Sequence, residues 1–244
     1  MKALMEPITT ESLTEVFISR FEKLILTGEF SIGQKLPSER ELSLQLGVSR
    51  PVVHEGLMDL AHKGLICMKP RVGAVVSDYR NNGSLAILNS LVSYAEGEVD
   101  EQLADSLLDM RELFEVECAR LAAKNRTADN LEALKAIIDK EKNIADENSR
   151  MITELDFDFH HKISMATGNL VYPLMMNSFR QVYTNLSGKF FKDQSVVEQV
   201  FTAHEKLYLA IKNGKEKQAV LLMKKILKHG EKHFKALRDS REGE

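Results

Sequence analysis

Leu13, Val16, Phe17, Phe21, Leu24 and Ile25 recur at helical spacing and Gly28 follows them, which predicts an amphipathic helix closed by glycine. In the next stretch, FSIGQKLPSE, Gly33 and Pro37 break the periodicity and mark a loop. Ser38-Glu39-Arg40-Glu41 fits a capping box: the serine hydroxyl accepts from a backbone N–H three residues on, and Glu41 reaches back. A short helix follows, with Leu42, Leu44 and Leu46 before Gly47, and Val48 fills the turn. Ser49 is placed to cap a second helix with Pro51 in its first turn, where a missing N–H costs little. Val53, Leu57, Leu60 and Ala61 are its inward stripe, and Gly64 ends it. Helix, glycine turn and helix together are a helix-turn-helix. The β-prone runs Leu65–Met68 and Ala74–Val76 then flank Lys69-Pro70-Arg71-Val72-Gly73 and predict a hairpin, the wing of a winged helix.

From about Gly83 the pattern changes. Residues 84–240 hold one proline, Pro173, and long stretches with apolar residues three and four apart. About seven helices are expected, near 84–96, 100–125, 127–148, 150–167, 170–191, 195–213 and 215–238. The expected fold is therefore mainly α: a winged helix-turn-helix over 1–78, a linker at 79–83, and an all-α bundle over 84–240.

Composition changes this picture little. Of 244 residues, 43% are hydrophobic and 28% charged, so a packed globular protein is expected rather than a disordered one. No apolar run approaches a bilayer span, and the first residues lack a signal-peptide core, so a cytoplasmic protein without a membrane partner is expected. Cys67 and Cys118 are far apart in no metal-like spacing. The net charge of −3 does not exclude DNA, because nucleic-acid contact is local. Residues 60–76 carry Lys63, Lys69 and Arg71 and no acid, which suits a phosphate-facing segment or a solvated loop.

The string Gly33-Gln34-Lys35-Leu36-Pro37-Ser38-Glu39-Arg40-Glu41-Leu42, followed by Leu46-Gly47-Val48-Ser49-Arg50, closely resembles the GntR family of bacterial winged-helix regulators. The C-terminal half resembles the FCD-type sensing domain of the FadR subfamily, through Arg111 with Glu115, Leu155-Asp156-Phe157-Asp158-Phe159-His160, and Ala166-Thr167-Gly168-Asn169. The resemblance implies a homodimeric regulator on a pseudo-palindromic DNA operator. A helix-turn-helix reads the major groove with the start of its second helix, here Ser49, Arg50, Val52 and His54. Arg50 is suited to bidentate donation to guanine. By resemblance Arg40 also touches DNA, and the wing, with Lys69, Arg71 and Gly73, enters the minor groove. In two places this chain departs from the family: His54 stands where arginine is usual, and Gly56 stands where alanine is usual.

Asp156 and His160 are four apart and share one helix face, a spacing that suits two ligands of one metal ion. By resemblance His204 is a third ligand, of a divalent zinc, nickel or manganese ion. The fourth family position falls on Ile226, which cannot ligate; His229 lies three residues further, about 60° round the helix. A hydrogen-bonded buried pair explains Asp156 and His160 equally well on spacing alone. Arg111 and Asn169 are the expected effector-binding residues, with an i,i+4 pair to Glu115 as the plainer use of Arg111. The resemblance implies a small organic acid as effector, or alternatively an acyl-CoA. A metal-dependent hydrolase is the competing class, but neither H-E-x-x-H, G-x-S-x-G nor a phosphate loop is present, so an enzyme is not expected.

Overall fold

A computed structural model describes residues 12–94, 101–144 and 148–239. The chain divides into two compact units, Met1–Glu98 and Val99–Glu244. In the first, α1 (Leu13–Leu26), α2 (Glu39–Leu46) and α3 (Arg50–His62) precede the hairpin of β1 (Ile66–Lys69) and β2 (Gly73–Val76). Ser38 caps α2 with both halves of a capping box, and Gly47 closes it at φ +67°. Ser49 takes the extended N-cap conformation of α3 but makes no side-chain cap bond, so its hydroxyl stays available. The strands pair antiparallel from Ile66 opposite Val76 to Lys69 opposite Gly73. The loop 33–36 seals the outer edge of β2: Leu36 N donates to Ala74 O and Val76 N to Gln34 O, both at 2.9 Å. Phe17, Phe21, Leu42, Val53, Leu57, Leu60 and Ile66 form the core of this unit.

Two expectations shift here. The stretch 79–83 is the short helix α4 (Tyr79–Asn82), capped by Asp78, rather than an open linker. The helix expected to open the bundle at 84–96 is α5 (Ile87–Tyr94), and it packs on α1 in the first unit. Ile87 joins that core, and Ser90 Oγ donates to the buried Glu22 Oε1 at 2.6 Å, which also accepts from Lys63 Nζ at 2.7 Å. An apolar and a polar anchor on α1 and α3 therefore hold α5 to the winged helix.

The second unit contains α6 (Glu101–Asn125), α7 (Ala128–Lys142), α8 (Ser149–Met165), α9 (Tyr172–Ser178), α10 (Arg180–Phe190), α11 (Val197–Lys212) and α12 (Glu216–Asp239). Alanines at 119, 122 and 123 let α6 lie close to Leu134 and Ile138 of α7, Phe159 and Ile163 of α8, Leu207 and Ile211 of α11, and Met223 of α12. The single helix expected over 170–191 is two, α9 and α10, meeting at Phe179 with φ −96° and ψ −1°. Ser178 Oγ bonds back to Leu174 O at 2.9 Å just before the break, an interaction that competes with the helix ladder. No helix among the described residues is long and apolar enough to cross a membrane.

Gly56 has a packing reason. A Cβ there would lie 2.3 Å from the Phe17 ring, which is itself buried and stacked on Phe21. Gly56→Ala should gain about 1 kcal/mol of helix propensity and lose ~1–3 kcal/mol to overpacking. The expected outcome is a lower urea midpoint, recovered by adding Phe17→Leu. A variant as stable as the parent would show that the ring can move aside freely.

Candidate DNA-reading head and sensor site

The exposed N-terminus of α3 and the wing carry the residues expected at DNA. Ser49 and Arg50 are exposed at the start of α3, Val52 is half-buried, and Arg40 is exposed on α2. In the wing, Lys69 and Arg71 are exposed, and Arg71 takes the left-handed conformation at φ +62° that turns the tip. Arg40, Arg50, Lys69 and Arg71 carry no ion pair among the described residues, so their donors remain open to phosphate or base edges. His54 differs. Its Nδ1 lies 2.8 Å from Glu39 Oε1, which ties the start of α2 to α3. Sequence reasoning had not paired them, because they are 15 residues apart.

In the second unit, α8 places Asp156 and His160 one turn apart and both buried, and α11 brings in the fully buried His204. One ligand atom from each lies within 4.8 Å of the others. His204 Nε2 is 3.5 Å from Asp156 Oδ1 and has no hydrogen-bond partner, while its Nδ1 lies 2.8 Å from Glu141 Oε1. His160 Nδ1 abuts Glu115 Oε2, and Tyr183 OH donates to Asp156 Oδ2 at 2.7 Å. Glu115 also accepts from Arg111 Nε at 2.6 Å, and the Arg111 guanidinium stacks 4.3 Å over the Tyr183 ring.

Burial alone would raise the Glu115 carboxyl, but Arg111 and His160 bring it down to about 2. Glu141 faces no permanent cation, so burial prevails over His204 and its carboxyl is raised. Burial also pushes the Tyr183 hydroxyl far up, keeping it a neutral donor.

Arg111, Glu115, Asp156, His160, Tyr183 and Ser187 are the polar part of the lining of a cavity of about 90 Å³, whose walls are otherwise mostly apolar, including Leu107, Phe114, Met176, Val182, Phe190 and Ile226. Asn169 is not among them. Its side chain accepts from Val171 N at 2.8 Å and closes the turn after Gly168. His229 is likewise outside the ligand cluster; it packs edge-on against Phe190, as the 60° offset on α12 implies.

The donor set suits a divalent ion. Two imidazoles and a carboxylate are borderline ligands accepted by zinc, nickel or manganese. Glu115, Glu141 and Asp156 bring three carboxylates together in the core, and Arg111 is the permanent cation paired with one of them. The unpartnered lone pair of His204 beside a carboxylate oxygen is a place for a cation.

Residues 14–76 match bacterial regulatory proteins of the gntR family, and residues 106–229 match the FCD domain. The chain belongs to the GntR family. It is 32% identical over 180 residues to the HTH-type transcriptional regulator Mce2R of Mycobacterium tuberculosis, covering 73% of each chain. It is 31% identical over 185 residues to the fatty acid metabolism regulator protein of Proteus mirabilis, covering 76% of this chain and 75% of that one. The Listeria monocytogenes protein Lar has a similar fold, with TM-score 0.65, 18% identity, and 94% and 99% of the two chains covered. This GntR-family protein is a ligand-responsive DNA-binding transcriptional regulator rather than an enzyme.

Two residues of the GntR-family sensor escaped the sequence reading in their present role. Glu141 continues the buried stripe of Leu134, Ile137 and Ile138, and Glu115 that of Ala104 and Leu107. A carboxylate inside an apolar stripe was the signal available.

On the reading head, Arg50→Ala is expected to cost roughly 1–3 kcal/mol of sequence discrimination. Gel-shift titration against specific and scrambled duplexes measures it; an unchanged ratio of the two affinities would remove Arg50 from base reading.

Proposed function

We propose that this regulator binds a pseudo-palindromic operator as a homodimer. Ser49, Arg50, Val52 and His54 read the major groove, Arg40 contacts the backbone, and the wing residues Lys69, Arg71 and Gly73 reach the minor groove. The exposed, unpaired cations on α2, α3 and the wing support this reading. A reducing, cytoplasmic setting fits two unpaired cysteines and a DNA target.

The effector is a small organic acid. Its carboxylate sits between Arg111 and a divalent ion held by Asp156, His160 and His204. The observation that carries this is the convergence on one small cavity of the Arg111 guanidinium with Asp156 and His160, two members of the three-residue cluster. With three protein ligands the ion keeps open positions for water or the acid. Such an ion supplies a positive charge for an anionic ligand. Arg111 adds charge-assisted hydrogen bonds from the N–H groups that Glu115 leaves free. A cavity of about 90 Å³ is below the ~300–1,000 Å³ that encloses drug-sized ligands, which favours a small acid. An acyl-CoA is the second reading. It is favoured by the mainly apolar lining and by the likeness to a fatty acid metabolism regulator.

The signal passes by linkage. An effector with higher affinity for one arrangement of the dimer shifts operator affinity by that differential, and DNA shifts effector affinity equally.

Elemental analysis of the purified protein should find about one divalent ion per chain and none above background in Asp156→Ala. Calorimetry with lactate-like acids should give saturable binding that Arg111→Ala weakens by ~10–100-fold, the value of a charged hydrogen bond. Binding of long-chain acyl-CoA but no small acid would transfer the assignment to the second reading.

A further inference from the structure

We infer that Glu141 and Glu115 are the positioning residues of the metal centre: each holds one imidazole in the tautomer and orientation that turn its far nitrogen toward the ion. This rests on the reading of Asp156, His160 and His204 as metal ligands.

The geometry is repeated at each ligand. Glu141 on α7 meets His204 Nδ1 at 2.8 Å, and both side chains are at most 1% exposed. A carboxylate accepts only, so Nδ1 carries the hydrogen and Nε2 carries the lone pair. That lone pair points into the cluster, 3.5 Å from Asp156 Oδ1, and has no hydrogen-bond partner. Glu115 on α6 lies against His160 Nδ1 as an ion-pair contact, with side chains 4% and 1% exposed. Tyr183 on α10 donates to Asp156 Oδ2 and leaves Oδ1 free. Three anchors from three helices thus meet the three ligand residues.

Stability alone does not account for this. A buried carboxylate–imidazole pair contributes less to folding than well-packed apolar side chains of the same volume, since desolvation offsets the attraction. Two such pairs converging on one aspartate, with an unsatisfied acceptor between them, have the form of carboxylate–histidine–metal triads. Glu115 has a second use: it also holds Arg111 at 2.6 Å, so one carboxylate joins the anion-binding guanidinium to a metal ligand.

The test titrates zinc into metal-free full-length wild type, Asp156→Ala, Glu141→Gln and Glu115→Gln against a chromophoric chelator. The visible spectrum of the cobalt-loaded forms and the melting midpoint of the metal-free forms are recorded alongside. Glutamine preserves volume and can still accept from Nδ1–H, but removes the charge that raises ligand basicity. Each glutamine variant should bind zinc ~10–100-fold more weakly than wild type, with a shifted cobalt spectrum. If one variant fails to fold, the other tests the same inference at an independent ligand. A lower metal-free melting midpoint with an unchanged zinc dissociation constant and cobalt spectrum would mark these glutamates as structural and overturn the inference alone. Wild type that binds no more zinc than Asp156→Ala would overturn the metal reading and the inference with it.

Discussion

Unsolvated negative charge inside a helical core is the constraint on which the sensor unit turns. Glu115, Glu141 and Asp156 sit on α6, α7 and α8 with side chains 4%, 1% and 8% exposed, where each charge is costly unless matched. Arg111 matches one of them. His160 and His204 mediate the others, and His204 is left with an acceptor facing an acceptor. The packing around them is tight: Phe159 stacks on the His204 ring at 4.1 Å and alanines bring the helices together. The donor set is one that suits a divalent cation.

The winged helix is organised the opposite way. Its core is mainly apolar, and Arg40, Arg50, Lys69 and Arg71 stand on the surface without an ion pair among the described residues, where water solvates them until a polyanion displaces it. His54 differs from these four, being held by Glu39. A neutral imidazole that donates through Nδ1 offers an acceptor at Nε2, where an arginine offers only donors.

Much of this was visible in the sequence. The capping box at Ser38 and Glu41, the glycine turn at Gly47 and the Pro-Arg-Val-Gly hairpin tip are local signals, and the structure reproduces each. Asp156, His160 and His204 meet as the spacing and resemblance implied. What the sequence concealed is tertiary. Whether α5 joins the bundle or the winged helix depends on Ser90 finding Glu22, 68 residues earlier. The break at Phe179 reflects a serine back-bond no periodicity reveals. Glu39 with His54 and Glu141 with His204 are pairs made by packing across 15 and 63 residues. Asn169 illustrates the converse: its turn chemistry is local, its side chain accepting from Val171 N two residues on.

Sensing and reading are two charge problems solved in separate units, and regulation requires them to share free energy. Operator affinity measured by fluorescence anisotropy, with the sensor site metal-loaded and either empty or saturated with the identified acid, tests this most directly. Coupling of 1–3 kcal/mol predicts a change of roughly 5–150-fold, matched by the same factor in acid affinity between free and DNA-bound protein. Operator affinity that is the same with the site filled and empty would contradict the account.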